Sequence, residues 1–203
     1  MDKRDQLDSI VNQPGMKMDS SFSHYKNKNS KRHKNIIKRM DKIVENVSGP
    51  KVLDCGCGTG LICFLVSQIK SVDEIHGVDL QKSVLVQAQE NMINDKTIFH
   101  NGFVEELDFD SEYFDTVIMG EVIEHVYSVE KTIEKVSMVL KKNGILIITC
   151  PYKGKLSKLH VRSISKTFLK EVLSPYFNIK KMEIIEYGNQ PNTLFCLATK
   201  RSQ

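Results

Sequence analysis

Glu121, Glu124 and His125 fall close together in the segment GEVIEHV. Positions i, i+3 and i+4 share a face if the stretch turns helically. Two carboxylates and an imidazole on one face suit a divalent metal with open coordination positions. A metal there binds an acceptor oxygen and lowers its pKa; without one, His125 is a candidate general base. The plainer reading is a carboxylate at a helix start beside a histidine that packs. A second set of residues comes earlier in the chain. Asp54-Cys55-Gly56-Cys57-Gly58-Thr59-Gly60 is a glycine-rich turn whose small residues let backbone approach a ligand closely. Its spacing is G-x-G-x-G, and Leu61 occupies the place where a dinucleotide fingerprint has its third glycine. Asp54, directly before the loop, opposes a pyrophosphate and tolerates a cationic, phosphate-free ligand. Asp79 stands 23 residues after Gly56, where adenosine-binding sheets place an acid that accepts both ribose hydroxyls. Its alternative role is to cap the helix that follows.

The elements that must position these residues alternate along the chain. A helix is expected at about 32–47, with Ile36, Ile37, Met40, Ile43, Val44 and Val47 at helical spacing and Gly49-Pro50 as its stop. KVLDC (51–55), EIHGVD (74–79), TIFHN (97–101), FDTVIMG (114–120) and GILIITC (144–150) read as strands. GILIITC lacks alternation, which fits a strand covered on both faces. Helices are expected over LICFLVSQI, SVLVQAQENMI, about 129–141 and 166–174. Strands at 177–187 and 193–200 flank the turn Gly188-Asn189-Gln190-Pro191-Asn192 and form an antiparallel pair. The pattern predicts a doubly wound α/β fold, a mostly parallel sheet with helices on both faces. In such sheets ligands sit at the carboxyl ends of the strands, where both residue sets lie.

A chain of 203 residues with 40% hydrophobic and 27% charged content suffices for one unstapled domain and excludes the disordered, collagen-like and disulfide-scaffold classes. No apolar run approaches the ~20 residues of a membrane helix. The opening MDKRDQLDSIVNQPG has no apolar core of a secretory signal. Five cysteines without a C-x-x-C pair predict free thiols and a cytoplasmic location. Residues 1–31 read as a polar, mobile lead-in or lid ahead of a domain at 32–203. Net charge is +4 but uneven: residues 20–40 hold seven Lys/Arg and no Asp/Glu, and residues 135–170 hold nine and none. Such stretches are either a solvated basic face or a site for an anionic partner such as RNA, a nucleotide or a carboxylate.

VLDCGCGTG, GVDL at 77–80, FDTVIMGEVIEHV at 114–126 and LKKNGILIITCP at 140–151 resemble, in order, the motifs of class I S-adenosylmethionine-dependent methyltransferases. The resemblance runs over about residues 34–200 and implies a Rossmann-like sheet of seven strands with the last one antiparallel, and S-adenosylmethionine as cofactor. It also implies that Gly56, Gly58 and Gly60, with Cys57 in the same loop, approach the methionine and ribose, oriented by Asp54. Asp79 would take the ribose hydroxyls, with Leu80 beside the adenine. The place of the family's acid after the third strand is held here by Phe103, so that stacking by Phe103 or backbone at Val104 replaces it. Met119, on the fourth strand, is counted with the cofactor site.

The E-x-x-E-H pattern is similar to two subfamilies, the ubiquinone-biosynthesis O-methyltransferases and the small-RNA 3′-terminal 2′-O-methyltransferases. In the latter, two glutamates and two histidines hold a metal. That likeness implies Glu121, Glu124 and His125 as catalytic residues, and the three with His160 as ligands of a divalent metal. Arg32 resembles a basic residue that lies near the cofactor carboxylate. The expected function is methyl transfer to an oxygen of a small-molecule acceptor. An RNA 2′-O-methyltransferase and a non-catalytic cofactor-binding scaffold are the alternatives. The basic stretches fit RNA through phosphate contacts. Tyr25, Tyr152 and Phe168 are few for a base-stacking platform, and Trp is absent, which favours the small acceptor.

Overall fold

The computed structural model describes residues 21–29, 32–92, 94–152, 160–188 and 192–202. Residues 1–20, Lys153, Lys155, Lys158 and the middle of the Gly188–Asn192 turn lie outside the described residues, and with them most of the expected lead-in. Within that lead-in, Ser21–Lys26 forms a helix, α1. It packs on the next helix through Tyr25, whose ring lies 6.4 Å from that of His33.

Helix α2 spans His33–Val44 and buries Ile36, Met40 and Ile43, one stripe at helical spacing. Strand β1 (Lys51–Cys55) leads through the glycine turn into α3 (Leu61–Val66), then β2 (Glu74–Asp79), α4 (Lys82–Asn91) and β3 (Thr97–Asn101). A short 3-10 turn at Val104–Glu106 precedes β4 (Phe114–Gly120) and α5 (Val129–Val139). β5 (Leu140–Tyr152), α6 (Lys166–Leu173), β6 (Phe177–Ile185) and β7 (Asn192–Lys200) complete the chain. Most bounds fall within a few residues of expectation. The largest difference is β5, which starts at Leu140, directly after α5, because Leu140 pairs with Phe114 across a register shift in β4.

The sheet has the order β3-β2-β1-β4-β5-β7-β6. The pairs among the first five strands of the sheet are parallel, and β7 runs antiparallel to both β5 and β6. This is the doubly wound, seven-stranded arrangement with its antiparallel last strand. Each face carries its own core. On one, Leu53, Val117 and Leu146 meet Ile133 and Val136 of α5 and Leu169 of α6. On the other, Val52, Ile118 and Ile147 meet Met40 and Ile43 of α2 and Val66 of α3. Adjacent strand residues are therefore buried on opposite faces, which is why these strands read as continuous apolar runs. The order of strands reverses on either side of β1 and β4. Their carboxyl ends therefore open a crevice, and both candidate residue sets face it. All five cysteines are free and buried. No helix among the described residues is long and apolar enough to cross a membrane.

Candidate active site

The glycine turn is a strained connection. Gly56, Gly58 and Gly60 all adopt positive φ (68°, 51° and 84°), a region that side chains disfavour. At Gly56 a Cβ would stand 2.3 Å from Val122 Cγ2, so the first glycine also lets the loop lie against the acidic turn. The loop is tied to β2 by Gly56 and Cys57, whose N–H groups both donate to the Val78 carbonyl (2.7 and 3.0 Å). Asp54 is fully buried at the end of β1 and accepts a bond from the Cys63 thiol at 3.4 Å. Burial raises the Cys55 thiol well above its ordinary range, so it stays neutral.

Asp79 accepts from Gly58 N–H (2.9 Å) on one oxygen and from Gln81 N–H (2.8 Å) on the other. These two bonds fix the plane of the carboxylate at the end of β2. The bond to Gln81 N–H lies ahead of the first turn of α4, whose N-cap Gln81 makes no side-chain cap bond, so Asp79 does not cap that helix as the alternative reading expected. Asn101 secures the same corner, its amide donating to the carbonyls of Asp79 (3.0 Å) and Leu80 (2.8 Å). Phe103 meets Tyr127 edge-on at 6.1 Å, and Val104 is buried behind it. Met119 is fully enclosed, level with Cys55 on β1 and Ile148 on β5; its side chain belongs to the core.

The GEVIEHV segment is not helical. One turn closes through His125 N–H to the Val122 carbonyl (2.8 Å), and Glu121 sits at φ 61°, left-handed for a residue with a Cβ. The helix begins only at Val129, capped by the Ser128 hydroxyl. The expectation that Glu121, Glu124 and His125 share one helical face is thus corrected by a tighter chain reversal. That reversal brings together Glu124, His125 and His160, whose ligating atoms lie within 4.8 Å of one another. Glu121 instead faces Arg39 of α2, with Nη1 to Oε2 at 3.5 Å. His125 and His160 rings meet edge-to-face at 5.0 Å, and His125 Nε2 stands 3.7 Å from Glu124 Oε1.

Glu124 is 2% exposed, and neither of its carboxylate oxygens has a hydrogen-bond partner. Burial first, and the Glu121 charge second, push its carboxyl well above the usual range, with Arg39 pulling the other way. Burial lowers His160, opposed by Glu121. An orphaned buried carboxylate beside two imidazoles is the donor set of a divalent transition metal. Ligands of an ion bound at ~2.1 Å lie at most ~4.2 Å apart, so a small contraction would close this set. The residues present therefore fit a metal. The basic residue that reaches the site is Arg39, about two helical turns beyond Arg32, which precedes α2. Arg39, Asn101 and Glu105 were not singled out by type or spacing. Each acts through a fold-dependent contact that no local pattern announces.

Known proteins place this arrangement. A family model described as "Methyltransferase domain" matches residues 46–189, well over half of the chain. The chain is 34% identical over 107 residues to a ubiquinone biosynthesis O-methyltransferase of Bradyrhizobium diazoefficiens, a match covering 51% of this chain and 40% of the relative. Against the mitochondrial ubiquinone biosynthesis O-methyltransferase of Rattus norvegicus it is 34% identical over 117 residues, covering 55% and 33%. The match thus spans less than half the length of these relatives. Among solved structures, an S-adenosylmethionine dependent methyltransferase from Mesorhizobium loti superposes with a TM-score of 0.67 at 14% identity, covering 85% of this chain and 99% of that one. The cyclase SpnF superposes at 0.74 and 16% identity, covering 87% and 85%; likeness at this level shows the fold alone. Motifs, sheet order and family match agree, and the chain belongs to the methyltransferase-domain family.

Proposed function

We propose that this chain transfers a methyl group from S-adenosylmethionine to an oxygen of a small-molecule acceptor. The observation that carries this reading is that the turn bearing Glu124 and His125, which meet His160, packs through Val122 against Gly56 of the glycine turn. The glycine turn and Asp79 fit the adenosyl donor: Asp79 stands at the end of β2, where an acid accepts ribose hydroxyls, and no phosphate has to pass Asp54. The donor is already activated, so the protein's task is to align the acceptor and deal with its proton.

His125, one-third exposed, is placed to take the proton of an acceptor hydroxyl. The freed oxygen attacks the methyl carbon in line, and sulfur leaves with the bonding pair. Glu124 Oε1 stands 3.7 Å from His125 Nε2 on the same turn. The alternative to His125 as base is a divalent ion, which Glu124, His125 and His160 would hold with Glu121 nearby; it would lower the pKa of an acceptor hydroxyl, and His125 would then be a ligand and not the base. The ubiquinone biosynthesis O-methyltransferases among the relatives favour the small-molecule class. The RNA 2′-O reading rests on the basic stretches.

The test is transfer of labelled methyl from S-adenosylmethionine into fractionated cell extract, with and without EDTA. Label in the small-molecule fraction supports the proposal, and its loss in EDTA supports the metal. Label confined to RNA replaces the acceptor class, and none in any fraction favours the cofactor-binding scaffold.

A further inference from the structure

The reversal carrying Glu124 and His125 has no helix to hold it, so its carbonyls must find donors elsewhere. They find them on the segment that follows β5. Val161 N–H donates to the Glu124 carbonyl at 3.0 Å. The Arg162 guanidinium donates Nη1 to the Val126 carbonyl and Nη2 to the Tyr127 carbonyl, the latter at 3.2 Å. On the opposite side of the turn the Glu105 carboxylate, 1% exposed, accepts Tyr127 N–H at 2.7 Å. The segment itself is anchored: Ile164 is buried in the core, and the Ser165 hydroxyl caps α6 through Phe168 N–H at 3.0 Å.

We propose that Arg162 is a positioning residue, whose fork over two successive carbonyls locks the post-β5 segment to the Glu124–Tyr127 turn and so keeps His160 facing Glu124 and His125. The inference rests on the function proposed above for that group. His160 and His125 come from segments 35 residues apart in sequence, and neither is within a regular element. Their ring contact therefore depends on what ties the two segments together. A planar guanidinium satisfies two carbonyls at fixed spacing, and an ammonium is a single point donor. Arg162 touches neither acceptor nor donor in this scheme; it acts through the turn.

The test compares wild type, Arg162→Ala and Arg162→Lys in the full chain by three measurements. These are S-adenosylhomocysteine affinity by calorimetry, Mn²⁺ affinity by electron paramagnetic resonance, and the nuclear Overhauser contact between His125 and His160 rings. Arg162→Ala is expected to keep S-adenosylhomocysteine affinity, lose the ring contact and weaken Mn²⁺ about 10–100-fold, the usual effect of removing a group that orients metal ligands. Arg162→Lys is expected to recover part of both. Ring contact and Mn²⁺ affinity at wild-type strength in Arg162→Ala would overturn the proposal. A wild type that shows the ring contact but binds no Mn²⁺ defeats the metal reading, and Arg162 is then judged by the ring contact alone. If Arg162→Ala also loses S-adenosylhomocysteine, Arg162→Lys decides: weakened contact supports the role, and wild-type contact overturns it.

Discussion

Gly56 and Glu124 carry the sharpest constraints at the scale of single residues. Gly56 combines φ 68° with a Val122 methyl 2.3 Å from where a Cβ would stand. Gly56→Ala is expected to destabilise the chain by more than ~1 kcal/mol in urea denaturation, because native φ opposes the new side chain. It should also displace the Val122–His125 turn. Glu124 is held well above the ordinary carboxylate range, chiefly by burial. A raised native pKa means that the folded state holds its proton longer than the unfolded chain. Stability from this group is therefore full below the unfolded value of 4.5 and is lost as pH rises through the folded pKa. Glu124→Gln should therefore raise the metal-free melting temperature at neutral pH, with the gain vanishing below about pH 4.5, while methyl transfer falls. Equal melting curves at pH 7 would contradict the account. The grouping of Glu124 with His125 was legible in E-x-x-E-H, but the geometry of the turn was not. A left-handed Glu121 and a single closed turn leave no periodic trace, and the separation of Glu121 toward Arg39 depends on how α2 packs.

Strands and helices were the most legible elements, because β1, β4 and β5 bury both faces and α2 buries one stripe. What escaped the sequence is a polar layer between β2 and β3. His76 and His100 share a bond of 2.8 Å between Nδ1 and Nε2 and stack at 5.0 Å, enclosed by Phe109, Phe114 and Tyr113. His76 Nε2 meets Glu74 Oε1 at 2.6 Å, Glu74 accepts from the Tyr113 hydroxyl, and Lys51 lies over the Tyr113 ring. The strand EIHGVD reads as an ordinary buried run, so its histidine gives no sign of a partner on β3. Burial first, and His76 second, hold His100 below its ordinary 6.5. The unfolded chain thus binds the proton more readily, and the stability this group contributes above pH 6.5 is lost as pH falls through the folded pKa. His100→Gln, which keeps a polar partner for His76, should flatten the decline in melting temperature on acidification from pH 7. An unchanged slope would exclude this pair as its source.

At the scale of the molecule, the sheet order places the two residue sets on either side of one crevice. Ligand binding there should stabilise the whole chain rather than one loop, since Gly58 is bonded to Asp79 on β2 and Gly56 is packed on Val122 beyond β4. S-adenosylhomocysteine at a hundred times its Kd is expected to add about 2.7 kcal/mol, which raises the melting temperature of a domain this size by roughly 5–10 °C. The glycine turn and the strand-end acid were the more legible in sequence because each is a local pattern. The Glu121–His125 turn was less so, since Arg39 reaches it from α2 and His160 and Arg162 from the segment after β5. The account stands most directly on one calorimetric titration, S-adenosylhomocysteine into wild type and Asp79→Ala. Binding at one site per chain, weakened by about 1.5–3 kcal/mol when Asp79 no longer accepts hydrogen bonds, is the predicted result. No binding to wild type, or equal affinity for both chains, would contradict it.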